Sequence, residues 1–178
     1  MRMLRLTTIA LLAGAAAGCV PRSDPAPPQP EPRPKAAPVS RPLPVPPPPA
    51  SWQDVPLSQG GWYYRSQPGG SQALFGPSNS EASFIVRCDL ARRQVTLARG
   101  GGSSGPLTIR TTFGARSFPA TAQSEPLPYL SAPVAASDRF LDSMVFSRGR
   151  FTVETPGQPM LVVPAWAEPA RVVEDCRG

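Results

Sequence analysis

The stretch SFIVRCD, residues 83–89, decides the fold of this chain. Phe84, Val86 and Cys88 alternate with polar residues, and this period of two predicts a β-strand with one buried face. Ile85 is the exception, because it falls on the outward face of the same strand. The stretch is therefore expected to lie in a sheet that covers a core on one side only.

Residues 94–99 continue this pattern after a connection of four residues, so the pair predicts a β-hairpin. Further short runs of the same character occupy residues 61–65, 72–75, 107–112, 115–120, 150–154 and 160–163. Two short helices are expected: residues 138–146, capped by Ser137, and a C-terminal helix with Pro169 in its first turn. The predicted fold is mainly β, a small antiparallel sandwich or barrel with two short helices.

Proline is concentrated before this domain: 14 of the 26 prolines lie between Cys19 and Ala50. Proline fixes φ and removes the backbone donor, so this segment predicts a polyproline-like spacer rather than a folded unit. A ligand for an aromatic groove of another protein is the alternative interpretation. The expected organisation is a signal peptide at 1–18, a disordered tether at 19–50 and a globular β domain at 51–178.

The first 18 residues have the pattern of an export signal, with two arginines, an apolar run of about a dozen residues and small residues at the end. Ala16-Ala17-Gly18-Cys19 resembles the lipobox of bacterial lipoproteins, although Ala16 stands where leucine is most common. The resemblance implies that Cys19 becomes an acylated N-terminus, attached to a membrane and facing the periplasm. Because Val20 and not aspartate follows it, the resemblance favours the outer membrane over the inner one.

The three cysteines suggest a pairing once Cys19 is assigned to lipid. Cys88 and Cys176 are each expected on the core-facing side of their element, and an exported protein meets an oxidising compartment. A structural disulfide between them is the prediction. A redox-active pair is the alternative, but such pairs usually have close spacing.

The distribution of charge argues against a nucleic-acid partner. Residues 1–50 carry six basic and two acidic residues, a net charge of +4, whereas residues 51–178 carry 12 and 10, a net charge of +2. A nucleic-acid-binding protein would concentrate its positive charge on the folded part.

The chain has no histidine, and its one lysine is Lys35 in the tether. Serine–histidine and cysteine–histidine nucleophiles are therefore excluded, as are histidine-containing metal sites. We expect no enzyme, no cofactor and no bound metal. A peptidoglycan hydrolase is the alternative, with Asp138 and Asp142 one helical turn apart as the acid–base pair.

Two further clusters are candidate binding sites. Arg148 and Arg150 flank Gly149 and could hold a phosphate or a carboxylate, or they could simply mark a helix end. The aromatic residues could form a platform for sugar rings or a partner, although core packing is the simpler interpretation: Trp52, Trp62, Tyr63, Tyr64 and Trp166. Since residues 62–64 are consecutive, a strand must expose at least one of them.

Residues 83–89, Gly149-Arg150-Phe151 and the closing run at 172–177 resemble uncharacterised envelope proteins of sphingomonad-type alphaproteobacteria. The resemblance covers most of residues 52–178 and implies a location but no activity. The expected function is a membrane-anchored envelope lipoprotein with a non-catalytic binding or structural domain. Its expected partner is an envelope protein or peptidoglycan, and an inhibitor or assembly factor of an envelope complex is a further alternative.

Overall fold

A computed structural model describes residues 51–101, 104–123 and 127–178 of the chain. The predicted signal peptide at 1–18 and the predicted tether at 19–50, Cys19 included, lie outside the described residues. The described residues belong to one unit, Pro46–Gly178.

The first sheet has six antiparallel strands in the order β1-β2-β3-β4-β8-β7. Its strands are β1 (Gly61–Gln67), β2 (Gly70–Gly76), β3 (Phe84–Asp89), β4 (Gln94–Gly100), β7 (Thr121–Gln123) and β8 (Tyr129–Ala135). The predicted hairpin is present as β3 and β4, with Val86 opposite Leu97 and Cys88 opposite Val95.

The second sheet has four antiparallel strands in the order β10-β9-β5-β6. Its strands are β5 (Leu107–Thr111), β6 (Gly114–Phe118), β9 (Arg150–Glu154) and β10 (Leu161–Pro164). Two helices and one short 3-10 turn complete the fold: α1 (Phe140–Val145), α2 (Ala167–Arg177) and the turn Trp52–Asp54.

One hydrophobic core joins the two sheets. Phe84 of β3 and Phe151 of β9 meet edge to face, with ring centroids 6.1 Å apart, and both rings are fully buried. Toward the other end of β3, α2 covers the same face and Cys88 is bonded to Cys176. Neither sheet closes on itself, so the predicted mainly β fold is confirmed in its sandwich form and not as a barrel.

Strands β7 and β8 were not predicted from the sequence, although β8 lies inside the first sheet. Pro133 interrupts the alternation of β8, and a proline argues against a central strand. It is tolerated here because β7 begins at Thr121, opposite Ser131, and leaves β8 unpaired beyond that point. The missing N–H of Pro133 therefore faces no neighbouring strand on that side.

The start of α1 also differs from the prediction. The helix runs Phe140–Val145, and Arg139 rather than Ser137 is its N-terminal flanking residue. The side chain of Asp138 accepts a hydrogen bond from the Phe140 N–H at 2.9 Å. Asp138 therefore supplies the contact to a free amide of the first turn that the sequence assigned to Ser137.

Candidate functional site

The outward face of the first sheet carries a row of mostly apolar side chains. The strand register places Tyr63 of β1 beside Leu74 of β2, Leu74 beside Ile85 of β3, and Ile85 beside Ala98 of β4. Ile85, the outward exception in the alternation of β3, therefore lies in the middle of this row, which we call the apolar row. It is a surface on the side of the sheet opposite the core.

A second row of outward side chains runs beside it. Arg65, Gln72, Arg87 and Thr96 are neighbours across β1, β2, β3 and β4, and we call them the cationic row. The Arg87 Nε donates to the Gln72 side-chain oxygen at 3.3 Å, so the amide helps to orient the guanidinium. Both arginines are exposed.

The loop between β2 and β3 forms a wall on the other side of the apolar row. Two tyrosines fasten it: the Tyr63 hydroxyl lies 2.7 Å from the Ser78 hydroxyl, and the Tyr129 hydroxyl donates to the Ala82 carbonyl at 2.8 Å. Beneath its end, Nη1 of the buried Arg99 donates to the Ser83 carbonyl at 2.9 Å. These three hydrogen bonds hold the loop beside the apolar row, at the edge where β2 ends and β3 begins.

The apolar row, the cationic row and this wall enclose a groove of about 570 Å³. Gln123, Leu127, Tyr129 and Ser131 close it on the side of β8. The loop wall therefore lies at one end of the groove and the cationic row at the other. Its size lies within the roughly 300–1,000 Å³ that is usual for small-molecule sites.

The charges around the groove are unevenly placed. Arg65 and Arg87 form no ion pair in the part of the chain that the structure describes, whereas four other arginines do. Glu81, which belongs to the loop wall, is the acidic residue that lines the groove. Burial and the nearby Glu81 charge raise the pKa of Tyr129, although Arg87 opposes this shift. The tyrosine therefore stays a neutral hydrogen-bond donor at neutral pH.

The predicted disulfide is confirmed: Cys88 and Cys176 are bonded, and their Cα atoms are 5.4 Å apart. Both residues are buried, at 2% and 1% exposure, on the core side of the first sheet. The bond therefore lies on the opposite face from the groove, where it fastens α2 to β3.

Asp138 and Asp142 are each engaged by a different arginine. Asp138 pairs with Arg116 at 2.8 Å, and Asp142 pairs with Arg177 at 2.6 Å. These contacts tie the turn before α1 to β6 and α1 itself to α2, as would be expected of structural carboxylates. No observation favours them as the acid–base pair of a hydrolase, and neither lines the groove.

Arg148 and Arg150 have different surroundings. Nη1 of Arg150 donates to the Val55 carbonyl at 2.6 Å and so holds the segment before β1 against β9. Arg148 is exposed, and its backbone N–H donates to the Thr112 hydroxyl at 3.0 Å. A shared anion site at this pair stays a prediction from the sequence.

The aromatic residues divide between core and surface. Trp62 is buried and packs against Phe75 and Phe84, and its indole N–H donates to the Pro164 carbonyl at 2.8 Å. Tyr63 is 44% exposed and lines the groove, as the expectation of one exposed residue in 62–64 requires. Trp62 therefore belongs to the core, whereas Tyr63 lies on the opposite face of β1.

Sequence reasoning did not find the groove itself. Alternation placed Arg87 and Ile85 on the outward face, but it gave no sign that Arg65 and Tyr63 would lie two strands away from them. The one indication in the sequence was that the outward positions include both apolar and charged residues. An apolar residue on the outward side of a strand indicates that another group covers it.

No protein-family model, curated protein or solved structure matches this chain. Within residues 51–101, 104–123 and 127–178, no three acidic or cysteine side chains are grouped in a way that could hold a metal ion. Across the same residues, no helix has the length and apolar character needed to cross a membrane.

Proposed function

We propose that this chain is a lipid-anchored protein of the bacterial cell envelope whose β domain binds a ligand, without catalysis, in the groove on the outward face of the first sheet. The groove carries the proposal. It combines an apolar floor, two aromatic hydroxyl groups and unpaired cations, which is the composition usual for a ligand site.

The cysteines support the anchor. A bonded and buried Cys88–Cys176 pair fits an exported protein, because disulfides persist in oxidising compartments. Cys19 is then the remaining thiol of the three, at the position where the lipobox resemblance expects an acylated residue. Several acyl chains would give durable attachment, at about 0.8 kcal/mol for each buried CH₂.

The position of the groove supports ligand binding over a purely structural role. The core and α2 lie on the inner face of the first sheet, so the outward face is not needed to close the core. Yet Ile85 and Ala98 are each only 7% exposed there, because the loop wall and neighbouring side chains surround them. A sheltered apolar surface outside the core is what a ligand site requires.

Membrane fractionation tests the anchor. The wild-type protein should sediment with the outer membrane, and Cys19→Ser should be released in soluble form to the periplasm. Val20→Asp is the matched variant: it keeps the lipid and should move the protein to the inner-membrane fraction. Unchanged membrane association of Cys19→Ser would overturn the anchor.

A groove-filling substitution tests ligand binding. Ala98→Trp should occupy the floor of the groove, and Ala115→Trp places the same bulk on an exposed position of β6. After incubation with solubilised envelope fractions, mass spectrometry should find compounds retained by the wild type and by Ala115→Trp but not by Ala98→Trp. Equal retention by all three proteins, with an unchanged fold, would overturn the groove as the site.

A further inference from the structure

We infer that the ligand of this groove is a small amphiphile with one anionic end, whose apolar part lies on the apolar row and whose carboxylate or phosphate contacts Arg65 and Arg87. The inference rests on the proposed function, since it names the class of ligand for the same site.

The shape of the groove favours a small molecule over a polymer. A volume of about 570 Å³ accommodates a compound of modest size. The loop wall lies across one end, where Ser78 and Ala82 are held by the hydroxyl groups of Tyr63 and Tyr129. A chain that had to pass through would meet this wall, whereas a ligand with one apolar end fits against it.

The floor of the groove favours an apolar body. Leu74, Ile85 and Ala98 lie side by side across three neighbouring strands, and strands are about 4.8 Å apart. The row is therefore about 10 Å from Leu74 to Ala98, which suits a short acyl chain or a ring system.

The cationic row favours an anion at the end opposite the loop wall. Arg65 and Arg87 are both neighbours of Gln72, so their backbones are about 10 Å apart and their long side chains can reach a common point above it. Gln72 occupies the Nε of Arg87 and leaves the terminal nitrogens of the guanidinium for an acceptor. Guanidinium groups bind carboxylates and phosphates through paired hydrogen bonds.

The wall sets the direction of the ligand. Glu81 places a negative charge on the loop-wall side of the groove, near enough to Tyr129 to contribute to the raised pKa of that hydroxyl. An anionic end would be repelled from this side and attracted to the cationic row. In a cationic amphiphile held in the same direction, the charged end would face the two arginines and be repelled by them.

The test measures the affinity of the full-length Cys19→Ser protein for four probes with alkyl chains of equal length. All probes are used below the concentrations at which they form micelles. Octanoate, octyl phosphate, 1-octanol and octylammonium are titrated by calorimetry, and backbone amide shifts locate the binding site. We expect octanoate or octyl phosphate to bind at least about tenfold more tightly than 1-octanol, octylammonium to bind most weakly, and the shifts to fall on the groove. The two anionic probes distinguish a carboxylate from a phosphate ligand.

Two variants assign the anion to the proposed contacts. Replacing both arginines, Arg65→Gln and Arg87→Gln, should abolish the preference for the anionic probes while the affinity for 1-octanol changes little. Arg92→Gln is the control, because Arg92 is an exposed arginine that pairs with Asp89 and does not line the groove. An anion preference that survives in the double variant would overturn the assignment to the cationic row.

The remaining outcomes separate the two proposals. Equal binding of 1-octanol and octanoate in the groove would overturn the anionic ligand and leave the groove standing as a site. Hexaglutamate is titrated separately: its binding in the groove, with no binding of any octyl probe, would replace the amphiphile with an acidic peptide. If no probe changes the backbone amide shift of a groove residue, the assignment of the ligand as an amphiphile is overturned. The Ala98→Trp retention experiment then decides separately whether the groove binds any compound.

Discussion

Breaking the Cys88–Cys176 bond should cost this domain a large part of its stability. The two cysteines are 88 residues apart, and the chain-entropy model assigns a bond across such a loop about 4.6 kcal/mol at 25 °C. Domains of this size are stable by about 5–15 kcal/mol in total, so the bond supplies roughly a third to nearly all of that stability and the reduced protein should remain folded on what is left.

Urea unfolding of the Cys19→Ser protein, with and without reductant, measures this difference. Reduction leaves both sulfur atoms in place, so it adds little of the cavity that cysteine-to-alanine variants would create. With a denaturant slope of about 2 kcal/mol per molar, the unfolding midpoint should fall by about 2 M urea. The midpoint of the Cys88→Ala, Cys176→Ala double variant should fall slightly further, because this variant also removes sulfur atoms from two buried positions.

A reduced protein that loses less than about 1 kcal/mol would refute this reasoning. It would mean that the reduced, unfolded chain keeps enough residual structure to restrict it without the bond. Mass measurement after alkylation gives the independent check, since two alkylatable thiols without reductant would exclude the bond itself.

Three further predictions concern single positions, each measured by denaturant unfolding. Gly70→Ala should destabilise strongly, by 3 kcal/mol or more as an order of magnitude, because φ is 157° and a Cβ there would lie 2.2 Å from a carbonyl oxygen of β3. Gly114→Ala, where φ is 137° and the space is open, should lower the free energy of unfolding by only about 1–2 kcal/mol, from backbone strain. Equal losses in the two variants would refute the steric argument. Asp175→Asn should lower the free energy of unfolding by about 1–3 kcal/mol, because this carboxylate accepts hydrogen bonds of 2.8 and 2.6 Å from two hydroxyl groups. Glu174→Gln, at an exposed position, should leave it unchanged. Stability should also fall as the pH rises above 10.0, the ordinary pKa of tyrosine, because the raised pKa of Tyr129 favours its neutral form in the folded state; a pH series on Tyr129→Phe should lack this component.

Much of the first sheet could be predicted from local pattern. The alternation in residues 83–89 assigned Phe84, Val86 and Cys88 to the core and Ile85 to the outward face, and the structure places them so. The disulfide followed from the same facing assignment together with the export signal. These predictions succeed because the period of a strand is a property of a few consecutive residues.

The sequence gives the wrong partner for a side chain where residues distant in sequence compete with a neighbour in the same helix. Arg171 and Asp175 are four residues apart in the C-terminal helix, a spacing that allows an ion pair, but Arg171 stacks over the Tyr64 ring at 4.2 Å instead. Asp175 accepts from the hydroxyl groups of Tyr64 and Ser71. A partner 104 or more residues away in sequence leaves no local sign, and it wins because it is partly shielded from water where an exposed pair is not.

From the sequence alone follow the side chains that share a face in each predicted strand, the mainly β class, and the pairing of the cysteines. It also carries every indication of an envelope location. The tertiary structure alone decided which strands are neighbours and in which register, and therefore that Tyr63, Leu74, Ile85 and Ala98 form one row with Arg65 and Arg87 beside it. The physical reason is that facing within a strand is fixed by backbone geometry over a few residues, whereas the neighbour and register of a strand depend on how the whole core packs.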